Sequence, residues 1–255
     1  MGEDDFMVKY SVIINIIDSY LEKTHDGTSM SRINSSLDHF AEKYGQITDH
    51  EEISFYTEKG NEIMHLVGQE HGIDDETLNP LTDKLKEENY TDVHVDHNHP
   101  TIWDTNVPTF LSENDMLTLL ETNNNEEYIY RSISAESPNG SRMTIIRNDK
   151  FNTEDHTRFK EVIQRINKES LHYSIITYKT AHMKALQQLS KEYTGNDKEK
   201  YLKSKEFHKK ADDIALKEVG TLEDYLKNQG LYDDLSSVNC KLRIKQPNWE
   251  LLYGN

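Results

Sequence analysis

Cysteine is almost missing from this chain. Cys240 is the only one in 255 residues, so an internal disulfide, a zinc ribbon and a Cys-x-x-Cys site are all excluded, and the chain suits a reducing compartment. Long apolar runs are missing too: the longest, Val12 to Ile17, is broken by Asn15 and falls far short of a membrane span. Positive charge is scarce, with 29 Lys and Arg against 46 Asp and Glu and a formal charge of -17. Such a chain repels nucleic-acid phosphates and anionic lipid headgroups, so neither nucleic acid nor membrane is an expected partner, and a basic or cationic one fits better. The opening Met1-Gly2-Glu3-Asp4-Asp5 carries no basic leader and does not match a myristoylation signal. The chain is therefore expected to stay in a cytoplasm, without export by a signal peptide.

What is present is polar and helix-rich at both ends. Hydrophobic residues make up 35% and charged residues 29%, so exposed helix and some mobile loop are expected rather than pervasive disorder. Phe6, Tyr10, Ile13, Ile14, Ile17 and Leu21 recur at helical spacing, as do Ile33, Leu37, Phe40 and Tyr44. They predict two amphipathic helices in an N-terminal region over residues 1–46. The texture then changes. Ile53 to Thr57 and Glu62 to Val67 read as strands around a Lys59-Gly60-Asn61 turn. Leu81 and Leu85 suggest a short helix, and Val93 and Val95 alternate with polar residues into His97 and His99. Ser112 to Thr122 reads as a helix, and Tyr128 to Ile133 is expected to pair with Met143 to Ile146 across Ser137-Pro138-Asn139-Gly140. Residues 47–150 thus form an α/β unit.

Residues 151–255 carry helical signals: Phe159, Val162, Ile163 and Ile166, then Leu186, Leu189 and Tyr193, then a Lys-rich stretch from Lys198 to Lys217. Asp and Glu are interleaved through that stretch, so it reads as a solvated helix face rather than a nucleic-acid contact. Gly195, Gly220 and Gly230 mark interruptions. The expected fold class is α+β, with N-terminal helices, a central α/β core and a C-terminal helical region.

Chemistry concentrates where the third predicted strand ends. On an extended segment, side chains two apart share a face, so His97 and His99 project together while His94, Asp96 and Asn98 project oppositely. His94 then reads as a structural or solvent-facing histidine. A catalytic zinc needs three protein ligands and an open position, and Asp115, one turn into the helix starting at Ser112, can complete the set. Pro100 turns the chain away directly after the second histidine. Ser112 with Asp115 is, taken alone, also a common helix cap, and the two roles are compatible.

His97-Asn98-His99-Pro100 followed by Ser112-Glu113-Asn114-Asp115 resembles the signature of JAB/JAMM zinc metallopeptidases, including the RadC-like branch, over roughly residues 48 to 147. The resemblance implies a cytidine-deaminase-like core, Zn2+ held by His97, His99 and Asp115, a serine at Ser112 that stabilises the oxyanion, and an upstream glutamate that activates water. Glu51 is the candidate for that glutamate and Glu52 the alternative, since strand alternation turns only one of them toward the site. Twelve residues, Pro100 to Leu111, separate His99 from Ser112, more than the family's usual spacing. Two readings stay open there: a substrate-contacting flap, or an accidental match and an incomplete site.

The implied activity is hydrolysis of an amide in a protein or peptide substrate, with the end of a ubiquitin-like tail as one candidate. A second class is a non-catalytic scaffold: JAB-like domains occur in minor head and accessory proteins of phages and prophages, where flanking helices dock to virion or host proteins. A third, fainter resemblance is to an HNH nuclease, from Val95-Asp96-His97 and the cluster Asn123 to Asn125. The acidic charge argues against a phosphodiester substrate.

Overall fold

The computed structural model describes residues 50–68, 73, 75–98, 108–137, 140–195, 197–202 and 204–246. The expected N-terminal helices over residues 1–46 lie outside them.

One mixed six-stranded sheet organises the chain, in the order β2-β1-β3-β4-β5-β6. β1 (Glu52–Tyr56) and β2 (Glu62–Val67) form a hairpin. Its turn passes through Gly60, whose φ of 80° lies in the region a side chain disfavours. Helix α1 (Asp75–Glu87) leads to β3 (Val93–Asn98), which pairs antiparallel with β1 and parallel with β4 (Tyr130–Glu136). That parallel pair needs a crossover, supplied by residues 99–129, which include α2 (Glu113–Leu117) and the 3-10 turn Thr118–Leu120. β5 (Arg142–Arg147) returns antiparallel to β4 after Gly140, at φ 74°.

The C-terminal region is mostly helical. α3 (His156–Leu171) continues through a π-helical stretch (His172–Tyr178) into α4 (Lys179–Glu192), followed by α5 (Lys198–Leu202), α6 (Lys205–Val219), α7 (Leu222–Asn228) and α8 (Leu231–Ser237). It then departs from a purely helical reading. β6 (Cys240–Lys245) joins β5 antiparallel and gives the sheet its sixth strand. Cys240, Leu242 and Ile244 alternate inward against polar neighbours, the two-residue period of a half-buried strand.

The two faces of the sheet differ in kind. Phe55, Val95, Ile133, Met143, Ile145, Leu242 and Ile244 share a core cluster with Phe159, Val162, Ile163 and Ile166 of α3 and with Leu231 and Leu235 of α8. The spacing of the four α3 residues is that of one helical stripe. On the opposite face the register aligns Ser54, Asp96, Ser134 and Thr144 across four strands. These residues are buried and bonded to each other and to neighbours: Ser134 Oγ meets Thr144 Oγ1 at 3.0 Å, and Arg142 bridges Asp96 and Glu136. His94 belongs to this face, where its Nδ1 meets Ser132 Oγ at 2.7 Å.

A second buried polar link ties the helical part together. Asp212 of α6 accepts the Tyr178 hydroxyl at 3.0 Å, and His182 Nε2 of α4 stands 3.0 Å from the same carboxylate oxygen. Among the described residues, no helix is long and apolar enough to cross a membrane.

Candidate metal centre

Three segments meet at one end of the sheet: the C-terminal end of β3, the N-terminal end of β1 that runs antiparallel to it, and the start of α2. The register decides which side chains share a face. Ile53 lies opposite His97, so His97 projects to the core face and Glu51, two residues before Ile53, projects with it. Glu52 projects the other way. Its carboxylate lies 3.5 Å from His65 Nε2, and His65 Nδ1 meets Ser54 Oγ at 2.8 Å. Of the two glutamates, Glu51 is therefore the one on the His97 face.

His97 Nε2 and Asp115 Oδ2 stand 3.6 Å apart, with the His97 side chain almost wholly buried and Asp115 about a quarter exposed. Two donors that each sit about 2.0–2.1 Å from a shared tetrahedral zinc are about 3.3 Å apart. The pair therefore fits a zinc corner with an adjustment of a few tenths of an ångström. The nitrogen and oxygen donors are also of the type zinc accepts. His99, the third expected ligand, lies outside the described residues. Among the described residues no group of three or more His, Cys, Asp or Glu forms a metal cage.

Asp115 is aimed by its own helix cap. Ser112, in extended conformation, is the N-cap of α2. Its Oγ accepts the Asp115 N–H at 3.1 Å, while its own N–H donates to Asp115 Oδ2 at 2.8 Å. The carboxylate oxygen nearest His97 is thus the one fastened by Ser112. Accepting one hydrogen bond leaves the serine O–H still able to donate, so the cap does not use up the side chain.

Glu51 is within electrostatic reach of both partners. Burial holds its carboxyl above the ordinary carboxylate range; the His97 imidazole works against that rise and the Asp115 carboxylate adds to it. A carboxylate made more basic by partial burial is better suited to taking a proton near neutrality.

The end of the long segment before Ser112 is anchored. Thr109 N–H donates to Ser141 Oγ at 2.7 Å, Leu111 N–H reaches Met143 Sδ at 3.3 Å, and Ser174 Oγ of the π-helical stretch donates to the Pro108 carbonyl at 3.0 Å. Residues 99–107, including Trp103, lie outside the described residues. Asn123, named in the nuclease resemblance, has its side chain committed to the turn 123–127. Its Oδ1 accepts the N–H groups of Asn125 and Glu127, and its Nδ2 reaches the Tyr90 carbonyl at 3.3 Å.

Sequence reasoning turned Asn98 away from the two histidines without finding its partners. It also missed the Arg142 cluster. The signal for both was present, since polar residues at every second position on β3 and β4 give the sheet a second, polar face. In comparisons with protein-family models, curated proteins and solved structures, none matches this chain.

Proposed function

We propose that the chain is a zinc-dependent metallopeptidase or isopeptidase of the JAB/JAMM type, hydrolysing an amide bond in a protein or peptide substrate. The observation that carries the reading is the convergence of His97 Nε2 and Asp115 Oδ2 at 3.6 Å with Glu51 on the same face. His97, Asp115 and His99 are the residues that would hold the ion. Zinc bound there supplies a Lewis acid and a water whose pKa falls toward about 7.

The chain's own residues perform the remaining tasks. Glu51 takes a proton from the attacking water and returns it to the leaving amine, so that water and amide become carboxylic acid and amine. Ser112 donates its O–H to the oxygen that gains charge. Asp115, clamped by the Ser112 N–H, keeps its orientation without help from substrate.

The testing experiment combines zinc content with cleavage of an isopeptide-linked peptide library followed by mass spectrometry. Wild-type protein is expected to hold zinc and cleave library members. Glu51→Gln should keep the zinc and lose turnover by about 10²–10⁴-fold. Asp115→Ala should lose both. Full turnover in Glu51→Gln would remove Glu51 from the chemistry.

A further inference from the structure

Asn98 sits between the two candidate histidine ligands yet projects to the opposite face of β3, where it is buried. Its side-chain amide makes two bonds, both to the backbone entering β1. Oδ1 accepts the Glu52 N–H at 2.5 Å and Nδ2 donates to the His50 carbonyl at 3.4 Å. These two groups flank Glu51 in the chain.

The reason for the arrangement lies in the β1–β3 ladder. Paired residues run from Tyr56 opposite His94 to Ile53 opposite His97 and go no further. On the other edge, the Glu51 carbonyl accepts the Gly68 N–H at 2.7 Å. Carbonyl and following N–H point to opposite sides of an extended chain, so the Glu52 N–H is turned toward β3 at the point where backbone pairing has ended. The Asn98 amide takes over. It offers an acceptor and a donor on one short rigid plane, whereas aspartate offers acceptors alone and an aliphatic side chain offers neither. Leaving a buried amide unbonded is costly, so each half of the pairing holds the other.

We infer that Asn98 is a positioning residue, a clamp on the backbone at both sides of Glu51 that sets where its carboxylate stands relative to His97 and Asp115. This rests on the reading of Glu51 as the proton-transferring base. The clamp works through Glu51 and touches neither ion nor substrate. Misplacing a reacting group by about 1 Å costs on the order of 10²-fold in rate, so loosening residues 50–52 should lower turnover without removing metal.

The test uses the full chain with Asn98→Ala and Asn98→Asp. Amide hydrogen exchange at Glu52 should accelerate at least about tenfold in Asn98→Ala and stay slow in Asn98→Asp, which keeps the acceptor. Zinc content should equal that of wild type in both. On the isopeptide library, Asn98→Ala should lower kcat about 10²-fold with KM little changed, and Asn98→Asp should recover part of that loss. The double variant Asn98→Ala with Glu51→Gln should be no slower than Glu51→Gln alone, a non-additivity that general loosening of the fold does not produce. Should Asn98→Ala fail to fold, Asn98→Asp and its combination with Glu51→Gln carry the test.

Unchanged Glu52 exchange in Asn98→Ala overturns the clamp whatever the turnover. Losses that multiply in the double variant overturn action through Glu51 while leaving the hydrolase reading in place. A wild-type protein with neither zinc nor turnover overturns the hydrolase reading instead, and with it any base to be positioned, even where exchange accelerates as expected.

Discussion

Ser112 caps α2 and, in the proposed mechanism, donates its O–H to the oxyanion, and its alanine variant separates the two. The Oγ acceptor caps α2 and the O–H remains to donate, whereas the N–H that fastens Asp115 Oδ2 belongs to the backbone and survives substitution. Ser112→Ala should therefore cost about 1 kcal/mol of stability, read by denaturant unfolding. It should keep zinc, because Asp115 stays aimed, and lower kcat about 10²–10³-fold, the usual effect of losing one oxyanion donor. At this scale the sequence was largely legible. Helical capping put Asp115 one turn into its helix, and alternation allowed only one of Glu51 and Glu52 to share the His97 face. Choosing between those two needed the pairing of Ile53 with His97, a long-range register that no local pattern encodes. The partners of Asn98 escaped notice for the same reason, since His50 and Glu52 lie 48 and 46 residues away.

Among the elements, the polar face of β3 and β4 sets the response to acid. His94 is 3% exposed, and burial, with the Arg131 charge adding to it, pushes its pKa down to about 4 from 6.5. Between those values the unfolded chain binds a proton that the folded chain refuses, so stability is full above 6.5 and is lost as pH falls toward 4. This histidine's share is about 3 kcal/mol, at 1.36 kcal/mol per unit. Asp96 on the same face, pushed up to about 6 by burial, works in the opposite direction, so the difference in urea midpoint between wild type and His94→Asn across that window is the readout and should narrow as pH falls. Arg142 makes the complementary case. It is buried between Asp96 and Glu136, and Arg142→Met leaves two uncompensated buried carboxyl groups at a cost of about 3–5 kcal/mol, read from the shift in thermal midpoint. The hairpin and the β4–β5 pair were legible as periods bounded by turns. β6 was not: its six residues follow a long helical stretch, and only its partner β5 distinguishes Cys240, Leu242 and Ile244 from one more amphipathic turn.

On the scale of the whole molecule, an α+β fold with a mixed sheet of one apolar and one polar face carries the proposed zinc site at the end where β1, β3 and α2 meet. Fold class could be read from texture alone, because strand-like and helical periods segregate along the chain. Assembly of the site could not, because it depends on β1 and β3 lying side by side at the register that brings Glu51, His97 and Asp115 together. Metal analysis of the purified protein, wild type beside His97→Ala, His99→Ala and Asp115→Ala, is the sharpest test of whether these side chains hold a zinc ion. One zinc per wild-type chain is expected, with its loss in each variant. Wild-type protein without stoichiometric zinc, or zinc retained in all three variants, would contradict it.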